Sequence, residues 1–179
     1  MNAPTESADP KRLASPFWSF SLRIYRQAGV PAACLALQDG AGVDVNVLLF
    51  GLFAAAQGRQ LAAADLSAIV AFIEPWRSNV VVPLRGVRRF LRDTPQGFEQ
   101  ENVPALRQSV KAIELEAERL QQEALYSAWP MVGLGAQAPS LAAARANITA
   151  YGACLGAQFD SDAVEALLAA FDKIGEYQS

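Results

Sequence analysis

The sequence predicts an all-α fold, a compact bundle of about six or seven helices around one apolar central helix. Three observations carry this reading. Apolar residues recur at spacings of three and four through most of the chain, and many of them are alanine, the best helix former. No stretch alternates apolar and polar residues for long enough to argue a strand. Between Val45 and Ala56 only Asn46 has a polar side chain, as expected of a helix enclosed by other helices.

The elements follow in order. Residues 1–14 are polar and contain proline, which predicts a mobile tail ahead of a single helical domain at 15–179. Ser15 and Pro16 form an N-cap and first-turn pair. The first helix then runs to about residue 28, with Phe17, Trp18, Phe20, Leu22, Ile24 and Tyr25 on a broad apolar face. Gly29 stops it. Pro31 begins a short second helix carrying Cys34, Leu35 and Leu37, stopped by Gly40 and Gly42. Asp44 caps the apolar third helix, which ends at Gly58. The fourth spans 62–92 and carries Leu66, Ile69, Ile73, Trp76, Val80, Leu84, Val87 and Leu91. Pro75 predicts a break in it and Pro83 a kink.

Residues 93–102 read as a loop, with Asn102 capping the fifth helix. Val103, Leu106, Val110, Ile113, Ala117, Leu120 and Ala124 give that helix the clearest periodic stripe in the chain. The fourth and fifth helices are expected to form a long antiparallel pair. The loop at 127–140 holds enough apolar residues to pack back onto the domain. A sixth helix (141–155) and a seventh, starting near Ser161 with Asp162 and Glu165 spaced as a capping box, complete the bundle.

Composition bounds the function. A chain of 179 residues can bury a sufficient core without metal or disulfide support. The two cysteines, Cys34 and Cys154, lie in apolar helical stretches and are expected to be free and mostly buried, in keeping with a reducing cytoplasm. The start of the chain lacks the apolar run of a signal peptide, and the longest apolar run is too short for a membrane span. A net charge of −3 argues against nucleic acid. The chain contains no histidine, which excludes histidine general-base catalysis, Ser-His-Asp and Cys-His sites, and His-ligated zinc or di-iron centres. It also lacks a P-loop and an Asp-rich Mg²⁺ motif, so no cofactor or metal is expected.

Three groups of residues could carry chemistry. Arg77, Arg85, Arg88, Arg89 and Arg92 lie on the fourth helix with no acid between 77 and 92, while the fifth carries Glu114, Glu116, Glu118 and Glu123. Two readings stand: ion pairs flanking a helix seam, or an anion or acidic-partner site. Arg77, beside Trp76 on the apolar stripe, is expected to be partly buried and to pair with Glu114 or Glu118. The second group is Gln38, Asp39, Asp44 and Asn46, read as turn and capping residues or as a small polar pocket at the N-terminal end of the third helix. The third, Gly133-Leu134-Gly135-Ala136-Gln137-Ala138, matches a dinucleotide fingerprint in letters. It follows no buried strand and reads as a loop.

Several ordered segments resemble a family of short, conserved proteobacterial proteins of unknown function. They are Phe17-Trp18-Ser19-Phe20-Ser21-Leu22 with Tyr25, Gly29-Val30-Pro31, Cys34-Leu35-Ala36-Leu37-Gln38-Asp39 and Asp44-Val45-Asn46-Val47-Leu48-Leu49-Phe50. Pro75-Trp76-Arg77, Pro83-Leu84-Arg85 and Glu114-Leu115-Glu116-Ala117-Glu118-Arg119 follow. The resemblance runs from about residue 15 to about 125 and implies a fold and positions to test, not a reaction. Where that family tends to carry Trp after the Leu-Leu-Phe of the third helix, this chain has Gly51. The function expected is a non-catalytic binding or regulatory role in the bacterial cytoplasm, toward a protein partner or a small anionic ligand. The competing reading is an anion-binding enzyme working with arginine and carboxylates. The candidate residues are Arg77, Arg85, Asp44, Asn46, Trp76, Glu114 and Glu118.

Overall fold

Ser15 caps the first helix as its position requires, its Oγ accepting the Trp18 N–H at 3.1 Å. A computed structural model describes residues 15–93, 96–99 and 102–176, so the tail expected at 1–14 and parts of the 93–102 loop lie outside the described residues. The all-α reading holds. The helices are α1 (Pro16–Tyr25), α2 (Val30–Ala41), α3 (Val45–Ala56), α4 (Ala63–Trp76), α5 (Val82–Phe90), α6 (Asn102–Ala128), α7 (Ser140–Cys154) and α8 (Ser161–Glu176). A π-helical turn, Arg77–Val81, joins α4 to α5. The pair is thus one continuous rod, and the described residues form seven rods.

Helix α3 is central. Every residue from Asn46 to Ala55 is buried. Helix α7 covers it on one side, and α1 and α6 add further walls. Phe17 meets Phe50 edge-on at 5.3 Å and Phe53 at 5.3 Å, which locks α1 onto α3. Helix α8 packs on α2. A second, smaller apolar cluster of Leu91, Val103 and Val110, with Leu84 against it, holds the outer part of the antiparallel α5–α6 pair.

Several expectations need correction. Gly40 does not stop α2, which runs on to Ala41 and ends at Gly42 in the left-handed region, φ 66°. Asp39-Gly40 is therefore helical, not a turn. Pro75 does not break its helix. It lies inside α4, which runs on into the wide turn, and the Asn79 side-chain amide donates to the Pro75 carbonyl at 2.7 Å. The stripe read on α6 is only half buried. Val103, Val110 and Ala117 face inward, but Leu106, Ile113 and Leu120 are exposed. The buried face is centred instead on Glu114, Gln121 and Leu125, because polar partners on other helices draw those side chains inward. The expected capping box at Asp162 is not formed. Asp160 Oδ1 accepts the Ala163 N–H at 2.9 Å, and Glu165 pairs with Arg145 at 2.6 Å.

The 127–140 loop packs back as expected, with Leu134 buried. It also forms a minimal antiparallel ladder, β1 (Arg59–Gln60) with β2 (Ala136–Gln137). This explains the glycine pattern there. Gly135 has φ 58°, and a Cβ added to it would lie 2.2 Å from the Gln60 carbonyl oxygen. The backbone needs glycine to approach its neighbour, not to cradle a pyrophosphate.

Candidate functional site

Arginines 85, 88, 89 and 92 recur at three- and four-residue steps, so they share one face of α5 and its C-terminal end. Lys111, Glu114, Leu115 and Glu118 do the same on α6. These faces and the outer end of α2 enclose a cleft of about 530 Å³, lined by those residues with Tyr25, Gln38 and Asp39. Glu114 is 4% exposed. Arg85 Nε reaches its Oε1 at 3.2 Å, and Arg88 donates to both of its oxygens, with Nη2 at 3.2 Å from Oε1. Arg85 Nη2 also holds Glu118 at 2.8 Å, and Arg89 holds Asp39 at 2.8 Å. Among the described residues Arg92 and Lys111 make no ion pair.

The two glutamates differ electrostatically. Burial alone would push the Glu114 carboxyl up, but hydrogen bonds from Arg88 and Arg85 outweigh it and hold it below the usual range. For Glu118 burial is the largest influence and exceeds the pull of Arg85, so its carboxyl titrates above the usual range despite the ion pair.

Arg77 is not part of this cleft, and the expected pairing with Glu114 or Glu118 is corrected. Its Nε lies 3.7 Å from Asp44 Oδ2, its Nη2 donates to the Gly42 carbonyl at 3.1 Å, and Glu74 flanks it at 3.5 Å. The π turn explains this. Arg77 opens the turn and faces back to the start of α3, whereas Arg85 lies two turns further on and faces α6. Arg77 is partly buried, as expected. Trp76 is partly exposed and ties α4 to α6 through Nε1–H to the Ala117 carbonyl at 3.1 Å.

Asp44 does cap α3, its Oδ1 accepting the Asn46 N–H at 2.8 Å and the Val47 N–H at 3.4 Å. It is also a hub. Its Oδ2 accepts from Gln121 at 2.7 Å, and its own N–H donates to the Tyr151 hydroxyl at 3.0 Å. Burial and the Asp44 charge both push the Tyr151 phenol up. Asn46 Oδ1 accepts from Gln122 at 2.8 Å. The void beside Asp44 and Arg77 is about 50 Å³. With so little space and so many internal partners, this network ties α3, the π turn, α6 and α7 together rather than holding a ligand.

Sequence reasoning missed Gln121, Gln122, Tyr151 and the buried Asn147, whose amide bridges the Gly51 carbonyl at 2.9 Å and the Leu61 N–H at 2.8 Å. A signal existed for one of them. Gln121 lies seven residues after Glu114 and four before Leu125, on the face that tertiary packing selects.

Among the described residues no cluster of His, Cys, Asp or Glu could hold a metal ion, and no helix is long and apolar enough to cross a membrane. A family model described as "Protein of unknown function (DUF2390)" matches residues 16–125. No curated protein and no solved structure matches the chain. The matched segment contains every residue lining the cleft. Helices α7 and α8 lie beyond it. Helix α7 lies against Gly51, where an added Cβ would meet Asn147 Cβ at an ordinary contact distance of 3.5 Å.

Proposed function

The chain belongs to the DUF2390 family of proteins of unknown function, and we propose that it is a non-catalytic binding protein that holds a small anionic ligand in the cleft between α2 and the α5–α6 pair. One observation carries the reading. Five cationic side chains, Arg85, Arg88, Arg89, Arg92 and Lys111, line the cleft against three carboxylates, Asp39, Glu114 and Glu118. Arginine forks match oxyanions in two-point geometry, and a concave site concentrates their field. Binding suits Glu114 better than proton transfer. Glu114, the most buried carboxylate, is already engaged by two guanidiniums, which disfavours its protonation. Two free cysteines suit a reducing compartment, and we place the protein in the bacterial cytoplasm.

The test is thermal unfolding of the full chain with inorganic phosphate or sulfate, repeated on Arg92→Ala/Lys111→Ala. A ligand at one hundred times its Kd stabilises by about 2.7 kcal/mol, so the wild-type Tm rises by about 5–10 °C. The variant, whose lost cations hold no ion pair among the described residues, unfolds as before without ligand and gains little with it. An equal rise in both proteins, or none in either, would refute the reading.

A second reading has its own observation. Leu106, Ile113 and Leu120 are exposed at seven-residue steps on α6, on the flank opposite the cleft and about 80° from its buried centre. Such a stripe suits a partner helix. Ile113→Glu would then abolish association while leaving phosphate binding intact.

A further inference from the structure

The flank of the α5–α6 pair that faces away from the cleft is apolar along its length. At the seam, Leu84 and Leu91 meet Val103 and Val110. Around α5, Arg85 lies about 100° from Leu84 on the cleft side, and Val87 and Phe90 lie about 60° and 120° from it on the other side. Around α6, Leu106, Ile113 and Leu120 lie about 40–80° from Val110, on the side away from Glu118. Because the two helices run antiparallel, both apolar flanks open on the same side of the pair. Trp76 extends the band inward, its Nε1–H bonded to the carbonyl of Ala117, which stands between Ile113 and Leu120 in the chain. These six side chains are 37–68% exposed. Pro83 and Ser109, which also fall on this flank, carry no charge, and at the rim Glu116 pairs with Arg119 at 2.6 Å.

We propose that this face is the interface of a homodimer, in which a second copy of the chain lays its own α5–α6 pair across it and completes a four-helix layer. This rests on the reading of the α6 stripe as a partner surface and names the partner. The first argument is area. At roughly 150–250 Å² for a fully free large side chain, the six expose on the order of 500 Å² of apolar surface. A standard interface covers about 800 Å² on each partner, a little over half of it apolar. The second is chemistry. A two-fold interface sets a patch against itself, so the patch must be self-complementary. An apolar band with no charge at its centre meets that condition, and charge-poor, apolar cores mark homodimer interfaces. The third is shape, since an antiparallel helix pair presents ridges and a groove that a like pair fits in a four-helix bundle. Segment 1–14 has only Met1 and Leu13 as large apolar side chains, too few to cover six. A net charge of −3 on each copy opposes association only weakly.

The experiment is sedimentation equilibrium of the full chain from about 1 to 100 µM, at about 0.1 and 1 M salt. Twice the chain mass is expected, with a Kd that is micromolar or tighter and insensitive to salt, because no ion pair holds the face. Ile113→Glu and Phe90→Lys place one charge on each helix of the face. Each should weaken the dimer at least about hundredfold, since the two-fold puts every substitution in the interface twice. Both positions are exposed, so helical content by circular dichroism should match wild type. Lys111→Ala, on the cleft side, should change the dimer Kd by less than about twofold. A dimer that survives both charged substitutions uses another face and overturns the proposal. A loss in Ile113→Glu alone confines the contact to α6 and overturns the four-helix layer. A wild type that stays monomeric overturns the homodimer as well. In that case the partner-helix reading stands if anilinonaphthalene sulfonate binds wild type and not Ile113→Glu, and falls if the two bind it alike.

Discussion

Glu114 and Glu118 stand one turn apart on α6 and share Arg85, yet neutralising them should act in opposite senses. Glu114→Gln removes the only carboxylate that Arg88 holds among the described residues and one of the two that Arg85 holds. Breaking a fully buried pair costs about 3–5 kcal/mol. The two guanidiniums here keep 16% and 24% exposure, so water offsets part of the loss, and about 2–3 kcal/mol is expected. That corresponds to a Tm drop of about 4–12 °C for a chain of this size. Because the folded-state pKa of Glu114 lies below the ordinary 4.5, this stability is fully present above that value. It is lost as pH falls through the folded pKa. Glu118 has the reverse sign. Its folded pKa lies above 4.5, with burial the chief cause, so the wild type loses stability as pH rises from 4.5 through that pKa. At pH 7 Glu118→Gln should therefore stabilise the protein, or change it by less than about 0.5 kcal/mol. Urea unfolding of both variants and wild type from pH 3 to 8 measures this. Equal losses at pH 7, or a Glu118→Gln loss larger than that of Glu114→Gln, would refute the electrostatic argument.

Three further outcomes are expected. Leu49, buried in α3, should cost about 2–5 kcal/mol on truncation to Ala, and a urea midpoint shift worth under 0.5 kcal/mol would show that α3 is not central. Burial pushes the Cys34 thiol up to about 12, so at pH 8 a thiol reagent should label Cys34 slowly in the native protein. It should label the half-buried Cys154 faster, and equal native rates counted by mass spectrometry would contradict this. Gly135→Ala combines a φ of 58° with a Cβ 2.2 Å from the Gln60 carbonyl, so chemical denaturation should show a loss of at least about 1–3 kcal/mol. A neutral result there would mean that the β1–β2 contact does not hold in solution.

Much of the fold was legible because its signals are local. Ser15-Pro16, Gly29 and Asp44 act through their own backbone neighbours, and the apolar run of α3 allows no exposed face. The arginine and glutamate faces of the candidate site were legible too, since helical spacing places residues 85, 88 and 92 together and 114 with 118. Their pairing across the helix seam was legible as well, as Arg85 and Arg88 with Glu114 and Glu118, but the place of Arg77 was not. Arg77 and Arg85 look equivalent in sequence, and the π turn after Pro75 gives one to Asp44 and the other to Glu114.

The sequence by itself therefore determined an all-α chain, an enclosed α3, the capping role of Asp44 and a chemistry without histidine. Each depends on residue type or on neighbours within a turn or two. Only the tertiary structure decided which face of α6 turns inward. Its apolar residues at 106, 113 and 120 lost that place to Glu114 and Gln121, because Arg85, Arg88 and Asp44 on other elements supply their partners. The same packing leaves the buried Ser21 Oγ and Gln122 Oε1 without a hydrogen-bond partner. Residues 21 and 122 are brought together by packing, and no local pattern in the chain encodes the distance between them.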